Sequence, residues 1–108
     1  MIITKLANRT SALAPLVKRG WADQLPKRDA IHKTYMFKDF VNAWQFMSAV
    51  ALRAEASDHH PEWSNVYNKV EVTWSTHDAD GCSERDVKLA EFCDTVAGKL
   101  AANGKENI

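Results

Sequence analysis

The sequence predicts an α+β fold, a single domain over residues 1–108 in which three helices cover one face of a four-stranded antiparallel sheet. The predicted element order is α-β-β-α-β-β-α. Three observations favour it: an apolar repeat at helical spacing over residues 38–56, two alternating segments at 63–67 and 70–77, and a second helical repeat after Ser83. A chain of 108 residues is long enough to bury one such core.

The N-terminal part supplies the first helix and two strands. Residues 4–14 predict a helix that Thr4 caps and Pro15 ends, because the residue before a proline avoids helical geometry. Two strands follow at residues 21–24 and 30–37, and the second is enriched in β-branched and aromatic residues that alternate with polar ones. This part therefore predicts one helix followed by a hairpin-like pair of strands.

The segment 38–56 carries the strongest helical signal, with one wide apolar stripe and a narrower apolar set beside it. The stripe consists of Phe40, Ala43, Trp44, Met47, Val50, Ala51 and Ala54, and the second set of Val41, Ala49 and Leu52. A helix that is apolar on more than one side is usually covered on more than one side. We therefore expect this helix to build a subunit interface as well as the core. A single broad core face is the alternative interpretation.

The next segment predicts a hairpin. Residues 63–67 and 70–77 flank Asn68-Lys69, which suits a tight turn. Side chains of a strand alternate between its faces, so Val70, Val72 and Trp74 are expected on one face. His77 is expected on the other face, at the far end of the strand.

The last helix begins at Ser83, and Asp86 follows three residues later in an arrangement that resembles a capping box. Its predicted buried stripe consists of Leu89, Cys93, Val96 and Leu100. The tail 101–108 is polar, and we expect it to be frayed.

Composition excludes several classes of partner. Lysine plus arginine balances aspartate plus glutamate at 14 each, so no net field favours direct contact with nucleic acid or an anionic membrane. No apolar run is long enough to span a bilayer.

The two cysteines, Cys82 and Cys93, form no metal or redox motif and suit a reducing compartment. We expect the protein in the cytoplasm, with the nucleus open to it as well.

Candidate chemistry concentrates in residues 55–63. His59 and His60 are adjacent, Pro61 fixes the backbone behind them, and three carboxylates lie close by in the sequence: Glu55, Asp58 and Glu62. Histidine is the one side chain that ordinarily titrates near neutral pH, so its clustering with acids points to acid/base chemistry or to metal binding. The helix end before these histidines, together with Glu55 and Asp58, would favour the imidazolium form. Among the other histidines, we interpret His32 as structural.

Three alternatives to acid/base chemistry can be weighed. Adjacent histidines chelate a single ion poorly, and neither a cysteine tetrad nor a His-x-x-x-His spacing is present, so no metal site is expected. The serines lack a nucleophile-elbow context, and Cys82 lacks a motif. A structural role stays open: His-His-Pro could be only a helix end and a turn, and Asp86 only a helix-start carboxylate.

The spaced series Glu55, His59-His60-Pro61, Tyr67, His77 and Asp86 resembles the signature of the pterin-4a-carbinolamine dehydratases. This family is also known as the dimerisation cofactor of a hepatocyte nuclear factor homeodomain protein. The likeness covers about residues 20–96. Its blocks include Arg28-Asp29-Ala30-Ile31, Phe37-Lys38-Asp39-Phe40, Asn65-Val66-Tyr67-Asn68-Lys69-Val70 and Ser83-Glu84-Arg85-Asp86.

The resemblance implies a hydro-lyase, a carbon–oxygen lyase that converts 4a-hydroxytetrahydrobiopterin to quinonoid dihydrobiopterin in tetrahydrobiopterin recycling, with no metal or organic cofactor. It implies three catalytic histidines, His59, His60 and His77, with His60 the first choice for the general acid. The residues it assigns to pterin binding are Glu55, Asp58, Pro61, Arg85 and Asp86. It further implies a homotetramer, a dimer of dimers built through helix 38–56. As an alternative function it implies a helix-binding dimerisation cofactor, a transcriptional coactivator, for a homeodomain transcription factor.

Overall fold

The computed structural model describes residues 3–104, with the side chains of residues 3–101. Its elements are α1 (Arg9–Lys18), β1 (Ala22–Asp23), β2 (Ile31–Met36), α2 (Phe40–Ala56), β3 (Glu62–Val66), β4 (Lys69–Trp74), one 3₁₀ turn (His77–Ala79) and α3 (Glu84–Gly104). The strands form one antiparallel sheet in the order β1-β2-β4-β3. The predicted α+β class and the order α-β-β-α-β-β-α are confirmed. Within the described residues, no helix is both long and apolar enough to cross a membrane.

The core lies between the helices and one face of the sheet. The sheet contributes alternate residues of its two central strands, among them Tyr35, Val72 and Trp74, each at most 1% exposed. Polar side chains such as His32 and Thr73 lie on the opposite face, where the His32 Nδ1 is 2.9 Å from the Thr73 Oγ1. The face with the apolar residues is the one that the three helices cover, as the sequence predicts.

The first helix differs from its prediction at both ends. It runs from Arg9 to Lys18 with Pro15 inside it, and Thr4 lies outside the helix. A proline removes one intrahelical hydrogen bond. Leu16, one residue beyond the proline, is 1% exposed. The helix therefore continues past Pro15, where the sequence predicts its end, because continuation buries Leu16 in the core.

Helix α2 begins where Asp39 caps it, with the carboxylate accepting from the Asn42 N–H at 2.8 Å. The predicted stripe is only partly correct. The buried residues of α2 are Ala43, Phe46, Val50 and Ala54. The predicted stripe omits Phe46, which is buried, and includes Phe40 and Trp44, which are about half exposed in the single chain.

The hairpin is confirmed with a shift of one residue. Its turn is Tyr67-Asn68, with Tyr67 in the left-handed region at φ 51°. The Asn65 side-chain amide donates to the Tyr67 and Lys69 carbonyls at 3.0 and 2.9 Å and so supports this turn. The strand β4 ends at Trp74, so the expectation that His77 belongs to this strand is wrong.

The capping arrangement of α3 is confirmed. The Asp86 carboxylate accepts from the Ser83 N–H at 2.9 Å, and the Arg85 N–H donates to the Ser83 hydroxyl at 3.3 Å. The helix extends to Gly104, so the first four residues of the tail expected to be frayed are helical. Residues 105–108 lie outside the described part of the chain.

Candidate active site

A cavity of about 560 Å³ opens at the edge of the fold where the C-terminus of α2, the loop before β2 and the segment after β4 meet. His59, His60 and His77 all line it, although His77 is distant from the other two in the sequence. The other lining residues are Ile3, Arg28, Asp29, Asp58, Glu62, Ser75, Thr76, Asp78, Asp80, Gly81 and Arg85. The structure thus brings the three predicted catalytic histidines together with Asp58 and Arg85 from the predicted binding set.

The end of α2 determines where the histidine pair lies. The Asp58 N–H donates to the Glu55 carbonyl at 3.1 Å and the His59 N–H to the Ala54 carbonyl at 3.0 Å, which is the Schellman pattern of a helix end. Asp58 takes the left-handed position at φ 52°, a conformation that aspartate tolerates better than most residues. The chain therefore reverses direction at Asp58, and His59 is directed into the protein.

His59 is held by a buried network beneath the cavity. Its Nε2 is 2.7 Å from the Asp86 Oδ1, and Asp86 is completely buried. The other carboxylate oxygen accepts from the Thr76 hydroxyl at 2.6 Å and from the Ser83 N–H at 2.9 Å. Asp86 was predicted to bind the substrate, but it is absent from the cavity lining and lies behind His59. Because the carboxylate accepts a hydrogen bond from the Nε2–H, the nitrogen of His59 that remains for exchange with a ligand is Nδ1.

His60 lies at the outer edge of the cavity. Its Nε2 is 2.9 Å from the Glu55 Oε1, and the two side chains are 58% and 83% exposed. Glu55 and Pro61 were predicted to bind the substrate, but neither lines the cavity. Glu55 instead contacts the far ring nitrogen of His60, and Pro61 leads the chain into β3.

His77 follows the end of β4 and opens the 3₁₀ turn. A short bridge between Thr76 and Gly81 closes this loop, with the Thr76 N–H and Gly81 carbonyl 3.0 Å apart. Asp80 adopts the left-handed region at φ 55°, which lets the chain turn back within four residues. The His77 side chain is exposed and has no hydrogen-bond partner within residues 3–101. It therefore reaches the cavity from a loop and not from the sheet.

One ion pair lies at the rim of the cavity. Arg28 and Glu62 form a two-pronged ion pair across the rim. The Glu62 carboxylate raises the pKa of Arg28, and the Arg28 guanidinium lowers the pKa of Glu62. The sequence spacing of these residues gave no indication that they would meet, since they are 34 positions apart and the loop before β2 reaches the start of β3 only in the folded sheet.

Asp29 forms part of the cavity floor and is fixed from α1. Its Oδ1 accepts from the Arg9 Nε at 2.8 Å and from the Cys82 N–H at 3.2 Å. Burial alone would raise the pKa of Asp29, but these two contacts hold it below its ordinary value. Gly81 packs against the same carboxylate at φ +156°, and a Cβ there would be 2.4 Å from the Asp29 Oδ2. A side chain at Gly81 would therefore displace Asp29.

The resulting arrangement suits proton transfer to and from a small polar ligand. Three imidazoles with three different environments line one cavity, and carboxylates and guanidinium groups supply further hydrogen-bonding partners. Within residues 3–101, no group of three or more His, Cys, Asp or Glu side chains has the geometry to hold a metal ion.

Comparison with known proteins identifies the family. Residues 4–96 match the family described as pterin 4 alpha carbinolamine dehydratase. A protein of Dinoroseobacter shibae provisionally named pterin-4-alpha-carbinolamine dehydratase is 54% identical over 91 residues, covering 84% of this chain and 93% of that protein. A protein of Jannaschia sp. strain CCS1 with the same provisional name is 55% identical, covering 84% and 92%.

A solved structure supports the same assignment. The transcriptional coactivator/pterin dehydratase of Brucella melitensis has 41% identity and a TM-score of 0.79, covering 88% of this chain and 100% of that one. The likeness thus extends over the fold and over the segments that form the cavity. The chain belongs to the pterin 4 alpha carbinolamine dehydratase family.

Proposed function

We propose that the protein dehydrates 4a-hydroxytetrahydrobiopterin to quinonoid dihydrobiopterin by histidine acid/base catalysis, as a step in tetrahydrobiopterin recycling. The observation that carries this proposal is the convergence of His59, His60 and His77 on one cavity. Membership of the family supports the dehydratase chemistry.

The reaction requires two proton transfers. An acid protonates the oxygen on C4a, the C4a–O bond breaks, and water leaves. The N5 lone pair forms the C4a=N5 double bond, and a base accepts the proton of N5. Correctly placed imidazoles can serve in both steps, and each transfer contributes a factor of about 10²–10⁴ to the rate.

The three histidines suit different parts of this scheme. His60, at the solvent edge with Glu55 on its far nitrogen, is our candidate for the acid that protonates the leaving oxygen. His77 has no competing partner within the described side chains and is our candidate for the base or a second acid. The buried Asp86 holds the His59 ring from behind through Nε2 and leaves Nδ1 for a ligand. Asp58 and Arg85 remain our candidates for contact with polar edges of the pterin.

A direct assay tests this function. Purified protein is mixed with synthetic 4a-hydroxytetrahydrobiopterin, and dehydration is followed by absorbance against the protein-free rate. We expect acceleration by the wild type, and loss of most of it in His60→Ala. His32→Ala serves as the matched control, because His32 lies on the opposite face of the sheet, bound to Thr73. Absence of acceleration by the wild type, or equal rates for the two variants, would contradict the proposal.

A second candidate function concerns assembly. Four large apolar residues of α2 are exposed: Phe40 (47%), Val41 (59%), Trp44 (57%) and Leu52 (76%). An apolar patch of this kind on a helix marks an interaction surface. We propose that α2 builds a homotetramer, a dimer of dimers, and that the same surface can bind a homeodomain transcription factor, for which the protein then acts as a dimerisation cofactor. The coactivator name of the Brucella melitensis protein favours keeping this candidate.

The assembly proposal has its own test. Leu52→Glu places a charge at the most exposed apolar position of α2, and Thr10→Glu places the same charge on an exposed position of α1. We expect sedimentation to show tetramers for the wild type and for Thr10→Glu, and smaller species for Leu52→Glu. Monomeric wild-type protein at micromolar concentration would refute the assembly and leave the dehydratase proposal standing.

A further inference from the structure

The Trp74 side chain lies directly against His59. Trp74 is the last residue of β4 and is completely buried. Its indole ring and the His59 imidazole are stacked, with centroids 5.6 Å apart and planes inclined by 20°. The imidazole therefore has an aromatic ring beside one face, and His59 also lines the cavity.

The same indole ring carries an unusual polar atom. Among the described side chains, the Trp74 Nε1 is the one buried nitrogen or oxygen without a hydrogen-bond partner. The neighbouring polar group is the buried Cys93 thiol, and a thiol sulfur is only a weak acceptor. An unpaired donor in a core is a cost to stability, and phenylalanine or leucine at this position would avoid it. The Nε1–H therefore has at most the weakly accepting Cys93 sulfur as a partner.

Two constraints act on the His59 ring. The hydrogen bond to Asp86 fixes Nε2 but leaves the ring free to rotate about that contact. The indole face fixes the plane of the ring, because a stacked pair loses its contact when one ring tilts. Together the two contacts hold the ring in one orientation, and Nδ1 is the nitrogen that they leave for a ligand.

We propose that Trp74 is a positioning residue for His59, whose indole face holds the imidazole plane so that Nδ1 stays directed at the substrate. The inference rests on the proposed dehydratase function, and it adds a residue that neither touches the cavity nor carries a titratable group. Cation–π attraction between the indole face and an imidazolium acts in the same direction.

Three variants test this role. Trp74→Phe keeps an aromatic face and removes the unpaired donor, whereas Trp74→Leu removes the face. Trp63→Leu is the matched control, because Trp63 is half-buried on the adjacent strand β3 and packs on the same core without a ring contact to His59. Rates are measured at a temperature where circular dichroism shows every variant folded.

The expected result is a change in kcat and not in KM. Trp74→Leu should lower kcat about 10- to 100-fold, the order of loss that follows a small misplacement of a reacting group. Trp74→Phe should retain most of the rate, and Trp63→Leu should behave as wild type. If Trp74→Leu fails to fold, Trp74→Met takes its place as the variant without an aromatic face: a rate well below that of Trp63→Leu supports the proposal, and an equal rate overturns it.

A second readout is independent of turnover. In protein with ¹³C-labelled histidine, the indole ring current should displace the His59 ring resonance from those of the other three histidines. This displacement should persist in Trp74→Phe and Trp63→Leu and vanish in Trp74→Leu. A displaced resonance in an inactive wild type would refute the dehydratase function alone. An undisplaced resonance in an active wild type would refute the role of Trp74 alone.

Discussion

His59 and His60 are neighbours in the chain, yet they occupy opposite environments. The His59 side chain is 9% exposed and bonds to the fully buried Asp86, whereas His60 is 58% exposed and its partner Glu55 is 83% exposed. A buried hydrogen bond in a low dielectric is strong and costly to break, while an exposed one is screened by water. The cavity therefore combines a fixed inner side, formed by His59, Asp86 and Thr76, with an adjustable rim that carries His60.

Removing each histidine in turn is the most direct test of the difference between His59 and His60. We expect both His59→Ala and His60→Ala to lower kcat/KM by about 10²–10⁴-fold, because each removes a proton-transfer group. Only His59→Ala should also lower the free energy of unfolding, by about 1–3 kcal/mol, since it leaves Asp86 without its imidazole partner. Chemical denaturation measures that difference. Equal stability of the two variants would remove the distinction between inner side and rim.

Asp86→Ala probes the inner side alone. It leaves the His59 Nε2, the Thr76 hydroxyl and the Ser83 N–H without their acceptor, so we expect a loss of about 3 kcal/mol or more in the free energy of unfolding. Urea denaturation gives this value. Glu55→Ala is the matched control, because it removes the carboxylate partner of His60 at the rim and should cost less than about 0.5 kcal/mol.

Arg9→Gln tests how firmly α1 holds the cavity floor. The Arg9 guanidinium lowers the pKa of Asp23, and at Asp29 it does so against the opposing effect of burial. Carboxyls with a depressed folded-state pKa stabilise the protein above their unfolded pKa near 4 and lose that contribution as pH falls through the folded value. We expect the variant to be about 1–2 kcal/mol less stable at pH 7, after a discount for solvent at Asp23. This difference should shrink below pH 4, and an unchanged gap at pH 2 would contradict the assignment.

Arg28→Gln should have the smallest effect. Its ion pair with Glu62 joins side chains that are 48% and 58% exposed, so solvent screens the attraction. We expect a stability change below about 1 kcal/mol that disappears in molar salt. Thermal denaturation at low and high salt measures it. A loss comparable to that of Arg9→Gln would mean that the rim is as rigid as the inner side.

The sequence was sufficient for the fold wherever burial and local pattern agree. The alternation of Val70, Val72 and Trp74 predicts the buried face of β4 correctly, and Ser83 and Asp86 predict the start of α3. The prediction failed where tertiary packing outweighs a local preference. Pro15 does not end α1, because Leu16 beyond it is buried in the core.

The types of residue in the site could be predicted from the sequence. Which of them line the cavity and which lie behind the lining could not. The spacing of the motif identified His59, His60 and His77, which all line the cavity. It could not distinguish Asp86, which lies behind His59, from a residue that faces a ligand, because depth is decided by the packing of α3 on β4. The contact between Arg28 and Glu62 was unpredictable for a related reason, since only the folded sheet brings the loop before β2 close to the start of β3.

The floor of the cavity also extends to the first residues that the structure describes. Ile3 lines it, the Leu6 N–H donates to the Cys82 carbonyl at 3.0 Å, and Arg9 anchors Asp29. A larger side chain at Ile3 would thus reduce the space that a ligand can occupy beside the reacting groups.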